Sequence, residues 1–183
     1  MYLIRTYRPI GTAVALALFG AAFARSDRSI GVFVGQGLQV LGSEDPRSGG
    51  GIFLQWSAPD RRLSWRGRTG KFVRELYIDG TRSRGASGQP ANSTWAIGAI
   101  GYARYEFGNR YYVDLGLGVQ YANRRTVDLD SLFNTTPCLA VGWILPGQEA
   151  WNVGFRFLHV SNGGSSGKNQ GQNFLALTAM RRF

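Results

Sequence analysis

From Ile30 to the end of the chain, apolar residues alternate with small or polar ones. Runs of this alternation are separated by Gly, Pro, Asn and Asp, and almost no segment repeats with a 3.6-residue period. A period of two is the signature of a strand with two unlike faces. Between 110 and 122, Tyr111, Val113, Leu115, Leu117 and Val119 share one face, while Asp114, Gly116, Gly118 and Gln120 share the other. The segment near 30 repeats this, with Ile30, Val32, Val34 and Leu38 set against Gly31, Gly35 and Gly37. Strands are expected at 29 to 41, 50 to 58, 70 to 81, 93 to 107, 110 to 122, 137 to 146, 150 to 161 and 172 to 183. That makes eight.

Their connections alternate in length. Short ones fall at Ala58-Pro59-Asp60, Gly108-Asn109 and Pro146-Gly147-Gln148, and longer ones at 42 to 49, 82 to 92, 123 to 136 and 162 to 171. The 59-to-69 connection, with Arg61, Arg62, Arg66 and Arg68, breaks the alternation unless its strands extend into it. A soluble sandwich would bury the apolar face against a second sheet. Here the opposite face carries Glu75, Asp79, Arg104, Glu106, Asp114, Arg156 and Arg182, which suits the filled lumen of a narrow barrel with lipid outside. The expected fold is all-β, an eight-stranded antiparallel transmembrane β-barrel of the bacterial outer membrane. Trp56, Trp65, Tyr105, Trp143 and Trp151 fall near expected strand ends, as interfacial girdles require. The terminal Phe183 resembles the aromatic carboxyl terminus of such barrels.

The first segment stands apart. MYLIRTYRPIGTAVALALFGAAFA has Arg5 and Arg8, an apolar stretch from Ile10 to about Phe19, and small residues ending at Ala24. This is the pattern of a cleaved secretory signal over residues 1–24, and the apolar run is shorter than the roughly 20 residues a spanning helix needs. Residues 25–183 then form a single barrel domain. Cys138 is the one cysteine, so no intramolecular disulfide is available. The net charge of +10 is scattered rather than gathered on one face. For an exported chain this disfavours nucleic acid as a partner and favours an anionic lipid surface. One histidine and one distant cysteine make a poor metal-ligand set.

Residues 155 to 164 read FRFLHVSNGG. Parity puts His159 and Ser161 on the face that holds Phe155 and Phe157, so both look toward lipid at the long-loop end of the seventh expected strand. An imidazole and a hydroxyl exposed to acyl chains are costly, and chemistry is a reason to keep them there. The stretch His159-Val160-Ser161-Asn162-Gly163-Gly164, followed by Asn169-Gln170-Gly171-Gln172-Asn173, resembles the motif of the lipid A 3-O-deacylase (PagL) family. That motif runs His-x-Ser-Asn-x-Gly and then Asn-x-Gly-x-Glu. Looser likeness extends to Val34-Gly35-Gln36, Gly70-Lys71-Phe72 and the run Tyr112 to Val119.

The resemblance implies an outer-membrane serine esterase that removes the acyl chain ester-linked at the 3 position of lipid A, with lipopolysaccharide as substrate, water as co-substrate and no cofactor. Ser161 is then the nucleophile and His159 the general base and acid. Asn162 by its side chain and Gly164 by its backbone N–H resemble the family's oxyanion donors, with Asn169 and Gly171 as motif support. Where the motif has a glutamate, this chain has Asn173. On the same face as His159, an amide oxygen can accept the imidazole N–H and set the tautomer, but it brings no charge to stabilise the imidazolium. A degenerate lipid-binding barrel, or a structural or adhesive one, is the alternative reading. Arg82, Arg84, Arg124, Arg125 and Lys168 fall in expected outward loops, within reach of lipid phosphates. Acyl-chain preference and homodimer formation are left open by the sequence.

Overall fold

The alternation is realised as one sheet closed on itself. The computed structural model describes residues 27–183 other than 66, 67, 86, 87, 89, 109, 149 and 166, and the side chains of 58–61 and 65 are not described. The expected signal segment lies outside the described residues. The strands are β1 (Asp27–Leu38), β2 (Arg47–Trp65), β3 (Arg68–Ser83), β4 (Ser93–Phe107), β5 (Tyr111–Ala122), β6 (Phe133–Thr135), β7 (Cys138–Ile144), β8 (Trp151–Val160) and β9 (Gln172–Arg182). Neighbours pair antiparallel in chain order, and β1 pairs with β9 from Ser29↔Arg182 to Leu38↔Asn173, which closes the ring.

The circumference is eight strands. β6 and β7 occupy one position beside β5, with Val119 opposite Thr135 and Gly116 opposite Cys138. Pro137 separates them because it has no N–H to give to the ladder. The eight expected strands correspond to this ring with shifted ends. The largest difference is at 59 to 69, where β2 and β3 run on as a long hairpin and the register slips between Ser57 and Arg62. Among the described residues, the expected connection is strand at 59–65 and 68–69. The four long connections, 39 to 46, 84 to 92, 123 to 132 and 161 to 171, therefore all lie at one end of the barrel.

The outer surface is a belt of exposed apolar side chains, among them Val34 at 63%, Leu117 at 66% and Leu177 at 55% exposure. A closed barrel with such a surface satisfies every strand backbone internally and suits hydrocarbon. Trp143 and Trp151 are exposed on it, and Tyr111 stacks on Trp143 with centroids 6.4 Å apart. Trp56, expected at a strand end, lies inside the extended β2 and is buried.

The interior departs from the expected small and polar lining. Phe33, Phe53, Tyr77, Tyr102 and Tyr112 are buried there, and the inward glycines make room for them. A Cβ on Gly98 would lie 2.3 Å from the Tyr77 ring, one on Gly142 2.1 Å from the Tyr112 ring, and one on Gly116 2.5 Å from the Tyr102 ring. Each glycine is the floor of a neighbour's aromatic pocket. Between the rings lies a polar network. Arg156 donates from both terminal nitrogens to Glu75 at 2.9 and 2.6 Å, and Gln55 donates to Glu75 at 2.7 Å. Arg104 forks onto Asp114 at 2.8 and 2.7 Å and also donates to Gln55 at 3.0 Å. Of the other expected lumen charges, Glu106 sits exposed and pairs with Lys71.

Glu75 is fully buried and receives Arg156, Gln55 and Tyr102. Its removal strands the Arg156 guanidinium in the interior. Glu75→Ala is expected to lower unfolding stability by about 3–5 kcal/mol, measurable by urea titration of the protein folded in detergent micelles. An unchanged midpoint would show that the network is not what holds the lumen together.

Candidate active site

β8 carries His159 at the end of its outward row, Trp151, Val153, Phe155 and Phe157. The neighbouring strand is broken at this level. Across the β6–β7 interruption the register against β8 is unchanged: Pro137 O accepts the His159 N–H at 2.9 Å, and Thr135 exchanges both backbone bonds with Ser161 at 2.7 and 3.0 Å.

On its other side β8 meets β9, with Asn173 opposite His159. Asn173 Oδ1 lies 2.7 Å from His159 Nδ1, and Asn173 Nδ2 donates to Val40 O at 2.6 Å. A backbone carbonyl can only accept, so the amide nitrogen must face Val40 and the amide oxygen must face the imidazole. Nδ1 then carries the proton and Nε2 keeps a lone pair. Gly171 backs the ring. Its φ is 74°, and a Cβ there would lie 2.6 Å from His159 Cε1, so any side chain would both strain the turn and push the imidazole aside.

Ser161 is half-buried. Its Oγ lies 3.2 Å from Thr135 Oγ1, and among the described residues it has no hydrogen bond to His159. Asn162 begins a tight turn in which its Oδ1 accepts the Gly164 N–H at 2.8 Å, with Gly163 and Gly164 at φ 63° and 75°. Asn162 Nδ2 donates to Lys168 O at 3.1 Å. The two expected oxyanion donors thus meet each other here rather than converging beside Ser161. Asn169 joins the two halves of the motif, its Oδ1 accepting the Asn162 N–H at 2.9 Å.

Beside His159 the outer wall is indented. A groove of about 450 Å³ is lined by Leu115, Leu117, Pro137, Leu139, Phe157 and His159. It is open to the barrel exterior and apolar apart from the imidazole. Sequence reasoning brought His159, Ser161, Asn162, Gly164, Asn169, Gly171 and Asn173 forward, and all lie within this one end of β8, β9 and their connection. It missed Thr135, the Val40 carbonyl and the groove. Only the proline following Thr136 was a signal, since it breaks the strand beside the motif.

The family model described as "Lipid A 3-O-deacylase (PagL)" matches residues 48–181. The lipid A deacylase PagL of Bordetella bronchiseptica is 27% identical over 113 residues, which are 58% of this chain and 57% of that protein. The chain therefore spans somewhat over half the length of that curated relative. Among solved structures, the crystal structure of the outer membrane enzyme PagL superposes with a TM-score of 0.58 over 84% of this chain and 98% of that one, at 18% identity. The likeness is one of fold. With a family match that runs through most of the barrel and across both halves of the motif, this chain belongs to the lipid A 3-O-deacylase (PagL) family.

Proposed function

We propose that this chain is a serine esterase that hydrolyses the 3-O-linked acyl chain of lipid A from the outer leaflet of the outer membrane. The observation that carries the reading is the position of the sole histidine. His159 is held at Nδ1 by Asn173, leaves Nε2 as a base two residues from Ser161, and opens onto an apolar groove on the outer wall. A soluble esterase would bring its substrate into a pocket. Here the substrate already lies in the bilayer that the belt faces, with the long loops directed outward.

In this reading the acyl chain lies along Leu115, Leu117, Leu139 and Phe157, and its ester carbonyl reaches the rim at His159. The Ser161 hydroxyl turns from Thr135 to Nε2, gives up its proton and attacks the carbonyl carbon. His159 then protonates the departing sugar oxygen, and water, activated by the same imidazole, releases the fatty acid and restores Ser161. The tetrahedral oxyanion is a stronger acceptor than the amide oxygen of Asn162. It draws the Gly164 N–H and the Asn162 amide from their present partners, and that exchange is the rearrangement the site needs. Exposed Arg82, Arg84, Arg124 and Arg125 ring the same end and supply positive charge for the lipid's phosphates.

The first test is mass spectrometry of lipid A after incubation with the purified barrel. Loss of one ester-linked 3-hydroxyacyl chain is expected, and Ser161→Ala should abolish it. Intact lipid A with the unaltered protein would favour a lipid-binding barrel, a reading supported by the Ser161–Thr135 contact and by the mutual bonding of Asn162 and Gly164. Leu139→Trp, which fills the groove, is expected to lower turnover of long-chain esters by about tenfold while sparing short ones. A loss independent of chain length would remove the acyl chain from this groove. Asn173→Glu adds an anion beside the imidazole, which favours the protonated form. A carboxylate there stabilises the imidazolium formed during turnover, so a higher plateau rate is expected. An unchanged rate would mean that position 173 does not reach His159 during turnover.

A further inference from the structure

The substitution of an amide for a carboxylate creates a requirement that a carboxylate does not have. Both oxygens of a carboxylate accept, so either can face a histidine. An amide turned over presents its NH2 to Nδ1, moves the imidazole proton to Nε2 and removes the base. Something must hold Asn173 in one orientation. The group that does so is the Val40 carbonyl, 2.6 Å from Nδ2, and Asn173 itself is 1% exposed.

Val40 lies in the connection 39 to 46, in a strained turn. Val40 O also accepts the Ser43 N–H at 3.1 Å, and between them Leu41 and Gly42 have φ of 52° and 89°. A leucine in the left-handed region is strained, and its side chain is 75% exposed, so packing does not compensate. The turn is gripped from across the barrel mouth by Asp128. One carboxylate oxygen accepts Ser43 Oγ at 3.0 Å and Asp45 N at 3.1 Å, and the other accepts Glu44 N at 2.9 Å. Three consecutive residues thus donate to one fully buried side chain. The backbone of Asp128 is tied in turn to the connection that carries the motif, its carbonyl accepting Gln170 N at 3.1 Å, next to the Gly171 that backs the imidazole.

We propose that Asp128 is a positioning residue for His159: it holds the 39-to-46 turn so that the Val40 carbonyl keeps Asn173 in the one amide orientation that leaves Nε2 unprotonated. The proposal rests on the esterase reading for its effect on rate, but the imidazole tautomer can be read without any substrate.

The test is nitrogen-15 NMR of the full barrel in detergent micelles, at a pH where the imidazole is neutral, together with kinetics on purified lipid A. The chain has a single histidine, so the imidazole signals need no assignment. Wild type should show the Nδ1–H tautomer, and Asp128→Asn a mixture. In the same variant kcat should fall by about tenfold with KM changed by less than about twofold. The deciding comparison is a double-mutant cycle. In an Asn173→Asp background no amide needs orienting, so adding Asp128→Asn should change kcat by less than about twofold. Equal losses in both backgrounds, or an unchanged tautomer in the folded Asp128→Asn protein, would overturn the proposal. Heat-modifiable migration on a gel reports folding, and Ser43→Ala, which removes one of the three bonds, takes the place of Asp128→Asn if that variant does not fold. If wild type leaves lipid A intact while the tautomer responds as expected, the positioning role stands and the esterase reading falls.

Discussion

Closure of the sheet by β1 and β9 is the interaction on which everything else in the molecule depends. A strand edge facing hydrocarbon would leave a row of N–H and C=O groups without partners, and each would cost several kcal/mol. Pairing from Ser29↔Arg182 to Leu38↔Asn173 removes that edge. It also sets the site, because the last pair of the seam contains Asn173, which is at the same time opposite His159 on β8. The residue that orients the imidazole is thus held on both sides by the ladder that seals the barrel.

Closure fixes a narrow lumen, and the lumen has its own demands. Eight strands leave space that side chains alone must fill. The chain meets this with aromatic rings laid over inward glycines and with the linked groups Arg156, Glu75, Gln55, Arg104 and Asp114. Buried charges are tolerated only when paired and hydrogen-bonded, and here each carboxylate faces a guanidinium. The candidate site lies on the outer wall. There Pro137 lines the groove beside Leu139 and Phe157, and the strand positions on either side of it supply the backbone partners of His159 and Ser161.

The site has one polar difference from the family's motif, and its consequences spread beyond the residue. With Asn173 in place of a glutamate, orientation of the histidine passes from charge to hydrogen-bond direction. The Val40 carbonyl, the strained turn at Leu41 and the Asp128 clamp become part of the site through that single amide. Loops ordinarily tolerate change; this one is tied to the imidazole by a chain of four hydrogen-bonding groups.

Much of this was legible in the chain by itself, because it is local. Parity of two assigns Leu115 and Leu117 outward and Asp114 inward whatever the strands pair with, and the same parity puts His159, Ser161 and Asn173 on the outer face. Eight alternating runs with unequal connections are enough for a barrel of this size. Other features were decided only by folding. The inward aromatics Tyr77, Tyr102 and Tyr112 have room only because Gly98, Gly116 and Gly142 lie beneath them on adjacent strands. At 59 to 69 the alternation of connection lengths left open that the strands extend inward, and the pairing of β2 with β3 as far as Trp65↔Arg68 takes that course. The mutual bonding of Asn162 and Gly164 depends on a turn geometry at two positive-φ glycines. Val40 and Asp128 lie far from the motif in sequence and have no unusual neighbours. Nothing but ring closure, which gathers all four long connections at one mouth, brings them to the histidine.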